Sequence, residues 1–261
     1  MHANIYCGDT DRLTSAGFTT RFDPTMARLA RAVVPGAPHH VLQRGNPGQR
    51  IFSTDQDYKD YLELVAEGCE NAKVKILAYC LLPKQVQLIL VPNSANALRQ
   101  ALGEAHRRFT RAVNLRRSRE GGLFRGRFAS FPMDKDSLAI CARYVETAPA
   151  RGKPAVKAKD WRWSSASAHL KGKSDGVVDV KPVLDEAKDW KTALATPFTP
   201  AELKAIAASE HTGRPYGSPT FVKSLEKKLG RTLARQRPGP KPAVAKAAKA
   251  VAAKAVKAKR K

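Results

Sequence analysis

The sequence predicts an α+β fold, a ferredoxin-like sandwich with a mostly antiparallel four-stranded sheet and helices on one face. Three observations lead there. Between His39 and Ala148 the apolar periodicity runs strand–helix–strand–strand–helix–strand–helix, which contains the βαββαβ order of that sandwich. The two middle strands are separated only by Pro83 and Lys84, a connection short enough for an antiparallel hairpin. A hydrophobic fraction of 43% over 261 residues is enough to build a packed core.

Each element has its own local cause. "HHVLQRG" reads as a short strand ended by the turn-forming Gly45-Asn46-Pro47. "STDQDYKDYLELVAEGCENA" offers Ser53 or Asp55 as an N-cap and sets Tyr58, Tyr61, Leu62 and Val65 at helical spacing. "KVKILAYCLL" and "QVQLILV" are strands. "NSANALRQALGEAHRRFTRAVNLRR" is a long helix with Leu98, Leu102, Ala105, Phe109 and Val113 on one stripe and its arginines off it. "GRFASFPM" is a further strand. "DKDSLAICARYVETA" is a helix whose apolar stripe is Leu138, Cys141, Ala142 and Val145, and Tyr144 lies about a quarter-turn or more away from it.

After "WRWSSASAHL", charged and small residues mark a linker, and two short helices follow. Thr199-Pro200-Ala201-Glu202 forms a capping box with proline at the first helical position. Ser218-Pro219 opens the second helix, with Phe221, Val222, Leu225 and Leu229 as its stripe and Gly230 as its C-terminal cap. The pair reads either as a helical hairpin closing the fold or as a helix-turn-helix variant. Residues 1–25 carry no periodicity, and Met26 reads as a natural beginning. Residues 237–261 hold no acidic residue and are nearly all Ala, Lys, Val and Pro, a composition expected to stay disordered.

A formal net charge of +24 points to a polyanionic partner, nucleic acid ahead of an anionic membrane. No apolar run is long enough to span a bilayer, and no basic segment precedes an apolar signal-like stretch at the start. Cys7, Cys69, Cys80 and Cys141 are too scattered for a zinc site or a disulfide framework, and read as reduced thiols of a cytoplasmic protein.

One stretch resists this simple reading. In "AYCLLPKQVQLILVP", strand alternation sends Val86, Leu88 and Leu90 to one face and the amides Gln85 and Gln87 to the other. Two amides side by side on one face of so apolar a strand need an explanation.

The order and spacing of "PGAPHHVLQRGN", "AYCLLPKQVQLIL", "GGLFRGRFAS", "ARYVETAPARG" and "WRWSSASAHL" resemble the REP-associated tyrosine transposases, within the single-tyrosine HUH class. "TGRPYGSPTFVKSLEKKLGR" is similar to the C-terminal region of the same family, so the resemblance runs over about residues 26–239. It implies binding of imperfect DNA hairpins with single-stranded flanks, and cleavage of one strand by a tyrosine that becomes 5′-phosphotyrosine-linked. It also implies two histidines and an Asn or Gln, four residues after the tyrosine, around a divalent metal.

By that resemblance the catalytic tyrosine is Tyr144. The ligand positions fall on Gln85, Gln87 and Ala148, a degenerate set, since an amide oxygen is a neutral and weaker donor than imidazole. No metal or cofactor is therefore expected, with Mg²⁺ or Mn²⁺ required if cleavage is retained. Glu104 and Glu146 are the carboxylates available to compensate. The expected DNA-binding residues are Arg44, Asn46, Arg107, Arg108, Arg111, Arg125, Arg127, Arg143, Arg151 and Arg214.

The chain then divides into an extension or misassigned start (1–25), a transposase-like DNA-binding and catalytic domain (26–170), a C-terminal helical region (171–236) and a basic tail (237–261). The leading expectation is a nucleoid-associated binder of hairpin and single-stranded DNA with catalysis reduced or lost; a homodimer stays open. An active metal-dependent transposase is the second reading. A nucleoid or RNA-binding protein driven by its tail is the third.

Overall fold

The computed structural model describes residues 31–152 and 156–234; the readings of residues 1–25 and 237–261 lie outside them. The elements follow the expected order. Strands β1 (His39–Arg44), β2 (Lys75–Leu82), β3 (Gln85–Val91) and β4 (Ala129–Pro132) are interspersed with helices α1 (Asp55–Asn71) and α2 (Ala97–Arg116), and α3 (Leu138–Glu146) follows β4. The sheet order is β2-β3-β1-β4, and all three pairings are antiparallel. This is the ferredoxin-like arrangement, and it places β1 and β3 at the centre.

Side-chain alternation divides the sheet between two cores. Val41, Val86, Leu88 and Leu90 face α1 and α2, where they meet Tyr61, Val65, Leu98, Leu102, Phe109 and Val113. The periodic stripes of both helices are those the sequence sets out. The helices cross closely because of one residue: a Cβ on Gly68 would stand 2.5 Å from the Ala101 carbonyl oxygen. Gly68→Ala should therefore destabilise the protein by about 1–3 kcal/mol through overpacking. At an exposed helical site the same change would stabilise by about 1 kcal/mol. The sign of the shift in urea midpoint tests the close approach.

The N-cap of α1 is Thr54, not Ser53 or Asp55. Its hydroxyl accepts from the Asp57 backbone N–H at 3.2 Å, and the Asp57 carboxylate accepts from the Thr54 N–H at 3.2 Å. Asp57 also pairs with Arg117 at 2.7 Å and Arg116 at 3.0 Å, so the cap of α1 is tied to the end of α2. Burial works against its charge. The N–H groups of Ser53 and Thr54 and the Arg117 guanidinium outweigh burial and hold its pKa below the usual carboxylate range.

The second face is covered as well. Leu77, Ala78, Cys80, Ile89, Phe131 and Met133 pack against the α3 stripe Leu138, Cys141, Ala142 and Val145. That core is completed from the C-terminal region. Val183 comes from α6 (Lys181–Glu186), Trp190 from α7 (Trp190–Ala195) and Ile206 from α8 (Pro200–Thr212). Between α3 and α6 in sequence lie the short helices α4 (Ala148–Gly152) and α5 (Ala166–Lys171).

The stretch around "WRWSS" covers the free edge of β2. Leu81 N–H donates to the Trp163 carbonyl at 2.8 Å, and Ser165 N–H donates to the Tyr79 carbonyl at 3.0 Å. Unpaired groups on an exposed edge strand would otherwise be open to intermolecular pairing. Helix α8 has the expected capping box between Thr199 and Glu202. Helix α9 (Pro219–Leu229) is capped by Ser218 and ended by Gly230 at φ +62°. Its Phe221, Val222, Leu225 and Leu229 pack on Ala32 and Val34. The apolar contacts of α8 and α9 are with different parts of the fold, the second core for α8 and Ala32 and Val34 for α9. Cys69, Cys80 and Cys141 are free and buried.

Candidate nucleic-acid interface and tyrosine cleft

Strand β3 delivers Gln87 to the α3 side of the sheet, paired with Leu42 and one step from His40, whose partner is Ile89. Gln87 is 3% exposed, whereas Gln85 is half-buried nearer the strand end. Helix α3 points its apolar stripe at the sheet, and this leaves Tyr144 on its flank, half-buried. The Tyr144 ring stands edge-on to His40, with centroids 6.0 Å apart. Arg151 from α4 lies 3.7 Å over the Tyr144 ring and donates to Thr147 Oγ1 at 2.8 Å. Strand register and helix phase thus bring the predicted nucleophile and Gln87 to the same face of the sheet.

A residue that the sequence reading missed completes the cleft. Glu210, near the end of α8, places Oε1 3.8 Å from His40 Nδ1 and Oε2 3.9 Å from Arg44 Nη2. Its signal was weak but present: Glu210 lies one turn beyond the buried Ile206, and so on the buried flank of α8. Burial pushes its pKa up, while Arg44 and Arg151 pull it back. Burial, and then the Glu210 charge, push the Tyr144 hydroxyl up to about 12, against Arg151. The phenol is therefore protonated at neutral pH, and a nucleophilic role requires a base or an electrophile to activate it. Burial lowers His40 to about 3, against the opposing effect of the Gln87 side chain beside it, so it is a neutral imidazole.

The expected metal positions do not fit a metal. Gln85 and Gln87 are amides, and the Ala148 side chain is a methyl group packed into the second core. Among the described residues no group of three or more His, Cys, Asp or Glu side chains is placed to hold an ion. The two proposed compensating carboxylates are engaged elsewhere. Glu104 is on the exposed side of α2, paired with Arg107 at 2.6 Å. Glu146 is fully buried and accepts from Ser165, His169 and Trp190.

The ten residues expected to grip DNA separate by environment. Arg44 lies at the cleft mouth with its side chain 55% exposed, and Arg111, Arg125 and Arg127 are exposed. Arg107 and Arg108 are also on the surface, paired with Glu104 and Glu67. Asn46 faces inward to the loop, where its amide donates to the Gly122 carbonyl. Arg143 is buried, bonded to Glu202 at 3.2 Å and stacked on Phe198. Arg214 donates to the carbonyls of Leu233 and Ala234 and holds the end of the described chain. Arg151 belongs to the cleft itself. Among the described residues, no helix is long and apolar enough to cross a membrane.

No family model matches the chain, and no curated protein does. Solved structures similar to it include a REP-associated tyrosine transposase bound to a REP hairpin, at 16% identity and a TM-score of 0.49, covering 59% of this chain and 93% of that one. Another is a protein of Deinococcus radiodurans provisionally assigned as a transposase, at 16% identity and a TM-score of 0.33, covering 46% of this chain and 97% of that one. The fold rests on the strand order and pairings, and the site on its own geometry.

Proposed function

We propose that this protein binds DNA hairpins with single-stranded flanks, as a tyrosine-transposase-like protein whose strand cleavage is reduced or lost. The observation that carries the reading is Gln87, buried on the Tyr144 face of the sheet at the position where the motif resemblance calls for a metal-binding histidine. A cleft with Arg44 and Arg151 beside a tyrosine suits a phosphodiester, and the excess positive charge of the chain supplies sequence-independent affinity. The set Gln85, Gln87 and Ala148 would leave a scissile phosphate without its usual metal.

The test is binding and cleavage on a flanked hairpin and on random duplex, across a salt series with Mg²⁺ and Mn²⁺. The hairpin should bind more tightly at every salt concentration, with no nicking above background. Robust metal-dependent nicking that Tyr144→Phe abolishes would instead establish the active-transposase reading. Equal binding to both DNAs, with a steep salt slope, would point to charge alone.

A further inference from the structure

On the opposite side of the sheet from Tyr144, a groove of about 1010 Å³ runs between the C-terminal half of α2 and the loop that follows it. Its lining includes Leu115, which is 82% exposed, the most exposed large apolar residue among those described. A lone exposed leucine is ordinary. Here it stands with the half-buried Phe124, whose ring is tilted against His106 with centroids 4.4 Å apart, so the groove has apolar and aromatic walls. Arg107, Arg111 and Arg119 line it against a single acidic side chain, Glu120.

The loop wall is held in place. Arg119 N–H donates to the Asn114 carbonyl at 2.9 Å, Asn114 Nδ2 donates to the Gly121 carbonyl at 2.8 Å, and Asn46 N–H donates to the Leu123 carbonyl at 3.0 Å. The same loop then leads toward the tyrosine cleft, because Arg125 N–H donates to the carbonyl of Arg44, which lies at the cleft mouth. Basic side chains alternating with exposed apolar and aromatic surface are the chemistry that holds single strands: phosphates on arginine, base faces on rings and aliphatic carbons.

We propose that this groove holds a single-stranded DNA flank, with Arg111 and Arg119 on phosphates and with Leu115 and Phe124 against bases. A duplex presents no free base faces, so the groove would discriminate flank from stem. The proposal rests on the DNA-binding reading for its biological setting, and its test is separable from that reading.

Fluorescence anisotropy with the full chain would use three probes: a single strand of about 12 nucleotides, a flanked hairpin and a blunt hairpin. Arg111→Ala with Arg119→Ala should weaken the single strand and the flanked hairpin about tenfold, and lower the single-strand salt slope by about 1.4 for two lost phosphate contacts. Leu115→Ala should weaken the same two probes while leaving the salt slope unchanged. Blunt-hairpin affinity should hold in both variants. No single-strand binding by the parent chain, or an equal loss on the blunt hairpin, would overturn the groove assignment. If the parent chain bound single strands through these residues but showed no preference for hairpin over duplex, the proposed function would fall and the groove assignment would stand.

Discussion

Lowering the pH from 7 to about 5 should remove several kcal/mol of folding stability, because three imidazoles held neutral in the fold must gain a proton on unfolding. Burial lowers His39 and His106 to about 4 and His40 to about 3, against an ordinary value of 6.5. The geometry of His39 agrees: Nε2 accepts the Val34 N–H at 3.1 Å while Nδ1 bonds the Ala37 carbonyl at 2.8 Å, a pattern only the neutral ring satisfies. His106 Nε2 meets the Tyr61 hydroxyl at 2.9 Å.

The sign follows from linkage. The folded-state pKa values lie below the unfolded one, so the unfolded chain binds more protons between them. Stability is full above about pH 6.5 and is lost as pH falls toward 4. At pH 5 each imidazole contributes a loss of about 2 kcal/mol. Around His40 the other charged groups are Glu210, Arg44 and Arg151; the raised Glu210 pKa opposes the trend in part. Urea midpoints across this pH range should show an uptake of about three protons on unfolding near pH 5. His106→Leu should reduce that uptake by about one. A flat profile from pH 7 to 5 would rule out neutral buried histidines.

The second large effect is expected at Glu146. Its carboxylate, fully buried, accepts from His169 Nδ1 at 2.6 Å and Trp190 Nε1 at 2.8 Å, and also from the Ser165 hydroxyl. Glu146→Ala would leave those donors without partners and open a void beneath the tyrosine helix. Removing one partner of such a buried network costs about 3–5 kcal/mol. For a chain of this size that corresponds to a fall in Tm of roughly 10 °C. Glu146→Gln, which keeps the volume and one acceptor, should lose less. A Tm within about 2 °C of the parent for the alanine variant would show that the network holds nothing together. Because the carboxylate links α3 to α5 and α7, the alanine variant should also weaken hairpin binding through Tyr144 and Arg151.

Much of this was legible in the chain. The apolar stripes of α1, α2 and α3, the hairpin at Pro83-Lys84, the capping box at Thr199 and the stop at Gly230 follow from neighbours a few residues apart. So does the division of β3 into Val86, Leu88 and Leu90 on one face and Gln87 on the other. The first cap was misread because Ser53, Thr54 and Asp55 are all capping residues. The choice of Thr54 depends on Asp57, which Arg116 and Arg117 hold from α2.

The site divides in the same way. By itself the sequence determined which residues share a strand face or a helix flank, since those relations depend on backbone periodicity alone. Only the tertiary structure decided that Glu210, and neither Glu104 nor Glu146, reaches the tyrosine cleft. It also separated Arg143, buried, and Arg214, half-buried and bonded to backbone carbonyls, from the exposed Arg111, Arg125 and Arg127. The physical reason is range. A side chain's face is set by bonds and hydrogen bonds within one turn or one strand pair. Its partner is set by where a distant helix comes to rest, and for α8 that place is the apolar seat of Ile206 in the second core.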